Sequence, residues 1–489
     1  MNGRDGAYPE VDFDVLIVGA GLSGIGTAYH VQTACPQLSY AVLEGRERLG
    51  GTWDLFKYPG IRSDSDMYTF GFSFHPWRSP KAISPGADIL SYINDTVDTY
   101  GLRQNIQFET KLVAAAWDSA AATWTLSVTR GPDARPETLT CRFFVSCTGY
   151  YDYERGYRPD FPGEERFGGT IVHPQHWDPE LDVADKRIVV IGSGATAVTM
   201  LPELAKEARE VVMLQRSPTY MANLPTRDGI AEALKRVLPK GLAHRLIRYK
   251  NIGFGIAFYR FSRAFPDRAR EFLQDGVRNL LGEHYDARHF TPKYKPWDQR
   301  VCVVPDADFF DALKTDRARI VTDTIDAFTE TGIRTASGEH LAADIIVTAT
   351  GLVLKAFGGA AFTVDGRALD TAQTHVYRGA MLGGVPNFAA AIGYTNASWT
   401  LKVDLVGRFV TRLLNHLHAT GRRTVTPVFD AERYDTRRLL DFDAGYILRG
   451  AHLMPKQGSA RPWRVYENYL KDYFLIARGS VTDEHLRYG

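Results

Sequence analysis

An α/β fold, with two parallel-sheet domains and a helical insertion, is what three features of this 489-residue sequence predict. Two apolar runs rich in β-branched residues, Asp14 to Val18 and Ile188 to Ile191, each pass directly into a glycine-rich turn and then a helical pattern. Each unit closes on a second short apolar strand, Tyr40 to Leu43 and Val211 to Leu214, which makes two β-α-β units. Beyond the second unit, helical periodicity takes over at Gly229 to Leu238 and Asp267 to Leu281.

In the first unit the turn is Gly19-Ala-Gly21-Leu-Ser-Gly24, and Ile25 to Val31 reads as helix. Gly19 permits the tight turn, Gly21 lets a pyrophosphate approach the backbone, and Gly24 lets helix and strand pack closely. The helix N-terminus offers free N–H groups and roughly half a positive charge to phosphates. Glu44 ends the second strand, 20 residues beyond Gly24, where it can accept hydrogen bonds from a ribose diol. Strand, turn, helix and acid in register make a Rossmann-like dinucleotide site, and its place near the N-terminus is the usual one for FAD.

The second turn is Gly192-Ser193-Gly194-Ala-Thr196-Ala197, with helix from Val198 to Glu207. Here the following strand ends in Gln215-Arg216-Ser217 instead of an acid. A 2′-phosphate is repelled by a carboxylate and attracted by a guanidinium, so Arg216 marks this site for NADPH. Two more apolar strands, Phe143 to Cys147 and Asp344 to Ala349, each end in Thr-Gly and would bring the chain back beside a nucleotide fold. The predicted organisation is an FAD domain from residues 9–150 and 380–489, an NADPH domain from 151–217 and 300–379, and a helical insertion or cap at 218–299. Gly393 to Asn396 is expected beside the flavin, with Ala397 to Leu417 a helix.

Composition narrows the classes. Basic and acidic residues number 58 and 57, so no global nucleic-acid partner is expected. Four cysteines cannot staple a chain this long and fit a reducing cytoplasm; Cys141 and Cys147 lie too far apart and too late for a disulfide reductase. The uncharged stretch Val15 to Leu43 is broken by glycines and polar residues and follows an acidic leader, so neither an anchor nor a signal peptide is expected. His173 and His176 lack a third ligand at metal spacing, and Arg62 beside Asp64-Ser-Asp66 suggests an ion pair, so no metal is predicted. No P-loop is present. Between Lys235 and Arg270 ten basic residues face one acid, Asp267, around a largely apolar Ile252 to Phe265. A solvated cap whose charge attracts NADPH is preferred, with peripheral contact to an anionic membrane as the alternative.

Several stretches are similar to class B flavoprotein monooxygenases: Arg46 to Trp53, Tyr58 to Asp64, and above all Phe167-Gly-Gly169-Thr-Ile-Val-His173-Pro-Gln-His-Trp177-Asp178. The last resembles the FxGxxxHxxxW(P/D) fingerprint of type I Baeyer–Villiger monooxygenases at every defined position. Asp64 to Tyr68, Gly192 to Val198, Asn387 to Asp404 and Pro455 to Trp463 resemble the ethionamide-monooxygenase branch. The resemblance implies that NADPH reduces FAD, that oxygen then forms a C4a-peroxyflavin, and that this attacks a ketone to give an ester or lactone, with sulfide oxidation alongside. It puts the catalytic arginine at Arg300 and its partner acid at Asp64, and adds Ser23, Gly51, Thr52, Trp53, Asp64, Leu112, Ser193, Thr196, Ser217 and Asn396 to the cofactor contacts. Many relatives have a lysine before the arginine where this chain has Gln299, which leaves more of the 2′-phosphate to Arg216. His173 and Trp177 read equally as a coupling linker and as packing. A heteroatom-oxidising monooxygenase with little ketone activity is the alternative enzyme, and a non-catalytic redox sensor the alternative class. Substrate and oligomeric state stay open.

Overall fold

The computed structural model describes residues 10–440 and 443–489. Its first domain is built on β1 (Phe13–Val18), α1 (Leu22–Ala34), β2 (Tyr40–Leu43), β3 (Ile106–Gln107), β4 (Thr110–Asp118), β5 (Thr123–Arg130) and β6 (Arg135–Ser146). β1 pairs in parallel with β2 and with the second half of β6. β3 extends the sheet beyond β2, and Phe388–Ala390 pairs on the far side of β6, again in parallel. Along β1, Val15 and Ile17 enter the core on one face while Leu16 and Val18 enter the core on the other. A strand covered on both faces needs an unbroken apolar run, which DVLIV supplies.

The first half of β6 instead runs antiparallel to β5, and β5 to β4. Ala361–Val364 and Arg367–Leu369 extend this meander beyond β4. The return to the first domain therefore precedes residue 380, and the 300–379 span expected for the second domain is too long. Aromatic packing is the physical reason: Phe362 sits among Trp124, Phe144 and Phe388 in the first core.

The second sheet is wholly parallel, in the order Ala318–Thr322, Glu210–Gln215, Arg187–Ile191, Ile345–Thr348, Thr170–Val172. It repeats the two-faced burial, with Ile188 and Val190 in one core and Val189 and Ile191 in another. Arg187 clamps Asp344 by two guanidinium bonds, 2.7 and 3.1 Å, at the start of its two central strands. Those bonds hold the Asp344 carboxyl down at about 2. The chain crosses between domains twice, at Tyr151–Gly156 and Leu352–Leu354, and the two crossings pair with each other.

The insertion folds as Gly229–Val237, Lys240–Ala264 and Pro266–Leu281, preceded by Tyr220–Leu224, a strand that pairs with Val301–Pro305. The residues from 240 to 264 form one 25-residue helix, where the sequence reading assigned helices only at Gly229 to Leu238 and Asp267 to Leu281. The insertion is anchored on both sides, because Ala231, Ala243 and Ile247 enter the first domain's core while Val277 and Leu281 enter the second's. Buried Arg248 donates to the carbonyls of Tyr68, Thr69 and Gly71 at 3.0, 3.2 and 2.6 Å and pairs with Asp404 at 3.6 Å. Among the described residues, no helix is long and apolar enough to cross a membrane.

Candidate active site

The two glycine turns sit at equivalent places, each at the carboxyl end of a central parallel strand. Gly19 has φ +105, and a Cβ there would stand 2.5 Å from the Cys147 carbonyl oxygen. Gly192 has φ +135, and its Cβ would overlap the Ala349 carbonyl oxygen. Those carbonyls belong to the two Thr-Gly strand ends, which run beside the turns as β6 and Ile345–Thr348 pair with β1 and Arg187–Ile191. Gly24 is equally constrained, since a Cβ there would overlap the Gly19 carbonyl oxygen. Ala197, at the matching place in the second turn, is fully buried.

The middle glycines differ. A Cβ on Gly21 would meet nothing closer than 3.5 Å, and one on Gly194 would meet nothing within 4 Å. The protein itself does not require glycine at either position, so the space belongs to something else. Both helices that follow, α1 and Ala195–Leu204, lack a capping side chain and any acid in the first turn. Their orphan N–H groups and positive dipole ends face that space, which suits a pyrophosphate. On this test both turns fit a dinucleotide.

Glu44 is buried, and its carboxylate accepts from the Ala20 N–H at 2.7 Å and the Arg46 N–H at 3.0 Å. Burial nevertheless raises its pKa from the ordinary carboxylate value, against those two bonds. Two oxygens with about four lone-pair sites leave acceptor capacity for a ribose diol. Gly51 lies against Gly21, at 3.1 Å from its added Cβ to the Gly21 Cα, and the Thr52 hydroxyl meets that of Tyr153 at 3.2 Å. Trp53 packs edge-on against Phe70. Ser23 accepts a bond from the Trp399 indole at 2.8 Å, which ties the first turn to the Trp399–Thr420 helix. The preceding loop is held by Glu467, whose carboxylate accepts from the Thr395 N–H and hydroxyl and whose carbonyl accepts from Asn396 at 3.0 Å. The side chain of Leu112 points into the core, while the ladder slips beside it, leaving Val113 unpaired with β5.

In the second turn, the Ser193 hydroxyl donates to the Ser217 carbonyl at 2.7 Å, drawing the turn and the end of Glu210–Gln215 together. Thr196 hydrogen-bonds Tyr58, whose phenol burial pushes up to about 12. Arg216 is exposed and forms no ion pair among the described residues.

Arg300 and Asp64, 236 positions apart, meet at 2.8 Å. The guanidinium is one-third exposed (32%), and its Nε is buried without a partner among the described residues. The Tyr446 phenol, Asp64, Tyr150 and Tyr151 raise its pKa against the opposing effect of burial, so the charge is permanent. Sequence reasoning missed this tyrosine collar, although Tyr150 and Tyr151 directly follow a Thr-Gly strand end. It also missed Trp297, three residues before Arg300, which has φ +70 and a buried unpartnered indole N–H.

Two sequence expectations, on Arg62 and on the cysteines, meet the structure here. Arg62 pairs with Asp308, not with Asp64 or Asp66, because Asp66 is occupied in capping Met67–Phe70 and accepting from Asn251. No cluster of metal-ligating side chains occurs among the described residues. All four cysteines are buried and free, and burial pushes the Cys147 thiol up to about 12, so it packs and does not react. Within the fingerprint, His173 accepts from the Gln175 N–H at 3.1 Å through Nδ1, which leaves Nε2 to donate to the Gly351 carbonyl at 3.1 Å. It thereby clasps the two interdomain crossings, while Trp177 packs in the second core.

Residues 14–235 match the flavin-binding monooxygenase-like family. The chain is 51% identical to the FAD-containing monooxygenase EthA of Mycobacterium tuberculosis over 477 residues, 97% of each chain. It is 47% identical to the probable FAD-binding monooxygenase AlmA of Acinetobacter baylyi over 481 residues, 98% of this chain and 96% of the other. Among solved structures, the fold is similar to an oxidised steroid monooxygenase bound to NADP, with TM-score 0.77, 22% identity, and 97% and 99% of the two chains covered. A cyclohexanone-bound cyclohexanone monooxygenase is also similar, with TM-score 0.69, 20% identity, and 86% and 90% covered. On its extended similarity to these relatives, the chain belongs to the family of flavin-binding monooxygenases.

Proposed function

We propose that this enzyme uses FAD, NADPH and molecular oxygen to convert ketones to esters or lactones, with sulfide oxidation as a secondary activity. The balance is ketone, O2, NADPH and a proton in; ester, NADP+ and water out. The observation that carries the reading is the Arg300–Asp64 contact, a fixed cation with an unfilled buried donor within electrostatic reach of Tyr150 and Tyr151, where the chain begins its first crossing between the domains. FAD, when bound, supplies hydride acceptance and oxygen activation; the protein supplies position and charge.

In this reading Gly21 and the α1 N-terminus hold the FAD pyrophosphate, and Glu44 its ribose. Gly194 and the Ala195–Leu204 N-terminus hold the NADPH pyrophosphate, and Arg216 attracts the 2′-phosphate. Arg300 stabilises negative charge on the attacking oxygen and on the carbonyl oxygen as it becomes tetrahedral, in a site screened by Tyr150, Tyr151 and Trp297. Asp64 fixes the plane of the guanidinium and leaves Nε free to donate. His173, through the paired crossings, couples the position of the second domain to the first.

The test is to supply the purified enzyme with NADPH, 18O-labelled oxygen gas and 2-decanone, and to identify products by mass spectrometry. An ester carrying one labelled atom is expected. NADPH consumption with hydrogen peroxide alone, and labelled sulfoxide from a sulfide substrate, would replace this reading with heteroatom oxidation.

A further inference from the structure

An open pocket of about 410 Å³ lies between the C-terminal end of α1, the middle of the Trp399–Thr420 helix and the turn at Tyr473–Ala477. His30 and Ala34 on its wall are 9 and 13 residues along α1 from Gly21. At 1.5 Å per residue this is roughly 14 to 20 Å from the pyrophosphate end, so the pocket is no part of the dinucleotide sites.

Its chemistry is set by three guanidinium groups, Arg408, Arg412 and Arg478. Arg412 is pinned, donating to the Ala477 carbonyl at 2.7 Å and the Gly479 carbonyl at 2.6 Å. Arg478 donates its Nε to the Tyr473 hydroxyl at 3.2 Å, which leaves both terminal nitrogens without a bond. The Arg408 guanidinium belongs to an exposed residue and has no hydrogen bond or ion pair among the described residues. None of the three has a carboxylate partner among the described residues. Of the polar groups nearby, Arg378 is matched by Asp483 at 2.6 Å, and His30 hydrogen-bonds Asp404 at 3.3 Å. Burial, then the like charges of Arg378 and Arg478, lower the Arg412 pKa from its ordinary value, as expected where positive charge is uncompensated.

We propose that this pocket binds a phosphate-bearing anion. Arg408 and Arg478 keep terminal nitrogens for the tetrahedral oxygens of a phosphate, which accept paired N–H bonds from a guanidinium, and the pinned Arg412 adds fixed positive charge. The volume exceeds what a lone phosphate needs and lies in the range of small-ligand sites, so the phosphate carries an organic group. Leu470 and Phe474, 51% and 68% exposed, leave apolar side chains on the surface of the same C-terminal segment as Arg478. A soluble phosphate ester and the headgroup of an anionic phospholipid both present this chemistry.

The experiment uses the full-length FAD-loaded enzyme with NADP+ at saturation, so that both dinucleotide sites are filled. One arm titrates inorganic pyrophosphate by calorimetry; the other sediments the protein with phosphatidylglycerol-containing vesicles against phosphatidylcholine alone at low salt. Each arm is repeated with the double variant Arg408→Ala/Arg478→Ala, whose side chains support no backbone group of another element. Binding in one arm or both, weakened about tenfold or more in the variant, is expected. Pyrophosphate binding alone identifies a soluble ester, and selective vesicle binding alone identifies a lipid headgroup. No binding in either arm, or equal binding by the variant, overturns the proposal.

Discussion

Replacing Gly21 by alanine separates what the fold requires from what a ligand requires. Gly21 has φ −80 and ψ −170, a conformation open to any residue, and the nearest atom to an added Cβ is the Gly51 Cα at 3.5 Å. The folded protein accommodates the methyl group, and reduced unfolded-state freedom contributes about 0.4–1 kcal/mol of stability. The same methyl group stands before the uncapped N-terminus of α1, where a pyrophosphate would sit. Charge-assisted hydrogen bonds are worth about 1.5–3 kcal/mol each, so losing two weakens FAD binding by roughly 10²- to 10⁴-fold. Gly24→Ala is the contrasting control. Its Cβ would overlap the Gly19 carbonyl oxygen, so α1 must lift from β1, at about 3 kcal/mol or more. The assays are thermal melting of the flavin-free proteins and titration of FAD by fluorescence quenching. Expected are a normal melting temperature with poor FAD binding for Gly21→Ala, and a lowered melting temperature for Gly24→Ala. A Gly21→Ala protein that binds FAD within threefold of wild type, or that melts as early as Gly24→Ala, would refute the reasoning.

Four further outcomes follow from individual side chains. Arg300→Ala is expected to leave flavin bleaching by NADPH measurable while ester formation falls about 10²- to 10³-fold, the loss typical of a preorganised donor; ester formed at the wild-type rate would remove Arg300 from the chemistry. Arg216→Ala is expected to raise KM for NADPH about tenfold or more and to leave KM for NADH unchanged, and an equal effect on both would remove its 2′-phosphate role. Asp344→Asn tests the clamp at the base of the second sheet. The Asp344 carboxyl titrates at about 2 when folded, below its ordinary value, so its stabilisation is present above about pH 4 and is lost as pH falls towards 2. With a side chain 38% exposed, solvent screening reduces the effect to about 1 kcal/mol at pH 7, and urea unfolding at pH 7 and pH 3 is expected to show the difference shrinking. Arg248→Met strands three backbone carbonyls and buried Asp404, so a loss of about 3–5 kcal/mol is expected in denaturant unfolding; a change below 1 kcal/mol would show that the insertion is held by other contacts.

Much of this protein is legible along the chain because its signals are local. DVLIV followed by Gly19, Gly21 and Gly24 is a strand, a turn and a helix start within 11 residues, so the whole signal sits in one short window of the chain. The second turn repeats the pattern, and Arg216 in place of an acid is visible at a counted distance. Helices at Gly229–Val237 and Pro266–Leu281 show their period directly because one face is apolar and the other wet.

Other features exist only once distant segments meet. The β4–β5–β6 meander and its extension at Ala361–Val364 depend on aromatic packing among Trp124, Phe144, Phe362 and Phe388, residues spread over more than 250 positions. Nothing around Arg248 distinguishes it from the nine other basic residues between Lys235 and Arg270, yet it alone among them is fully enclosed, because the carbonyls at Tyr68 to Gly71 and Asp404 can share its charge. Arg62 stands next to two acids in sequence and pairs with a third, since Asp66 is taken by a helix cap. The sequence by itself determined the two nucleotide folds, whose constraints act over a few bonds. The tertiary structure decided which cation keeps a free donor and which are spent, because burial and hydrogen-bond partnership belong to the assembled surface, not to the chain.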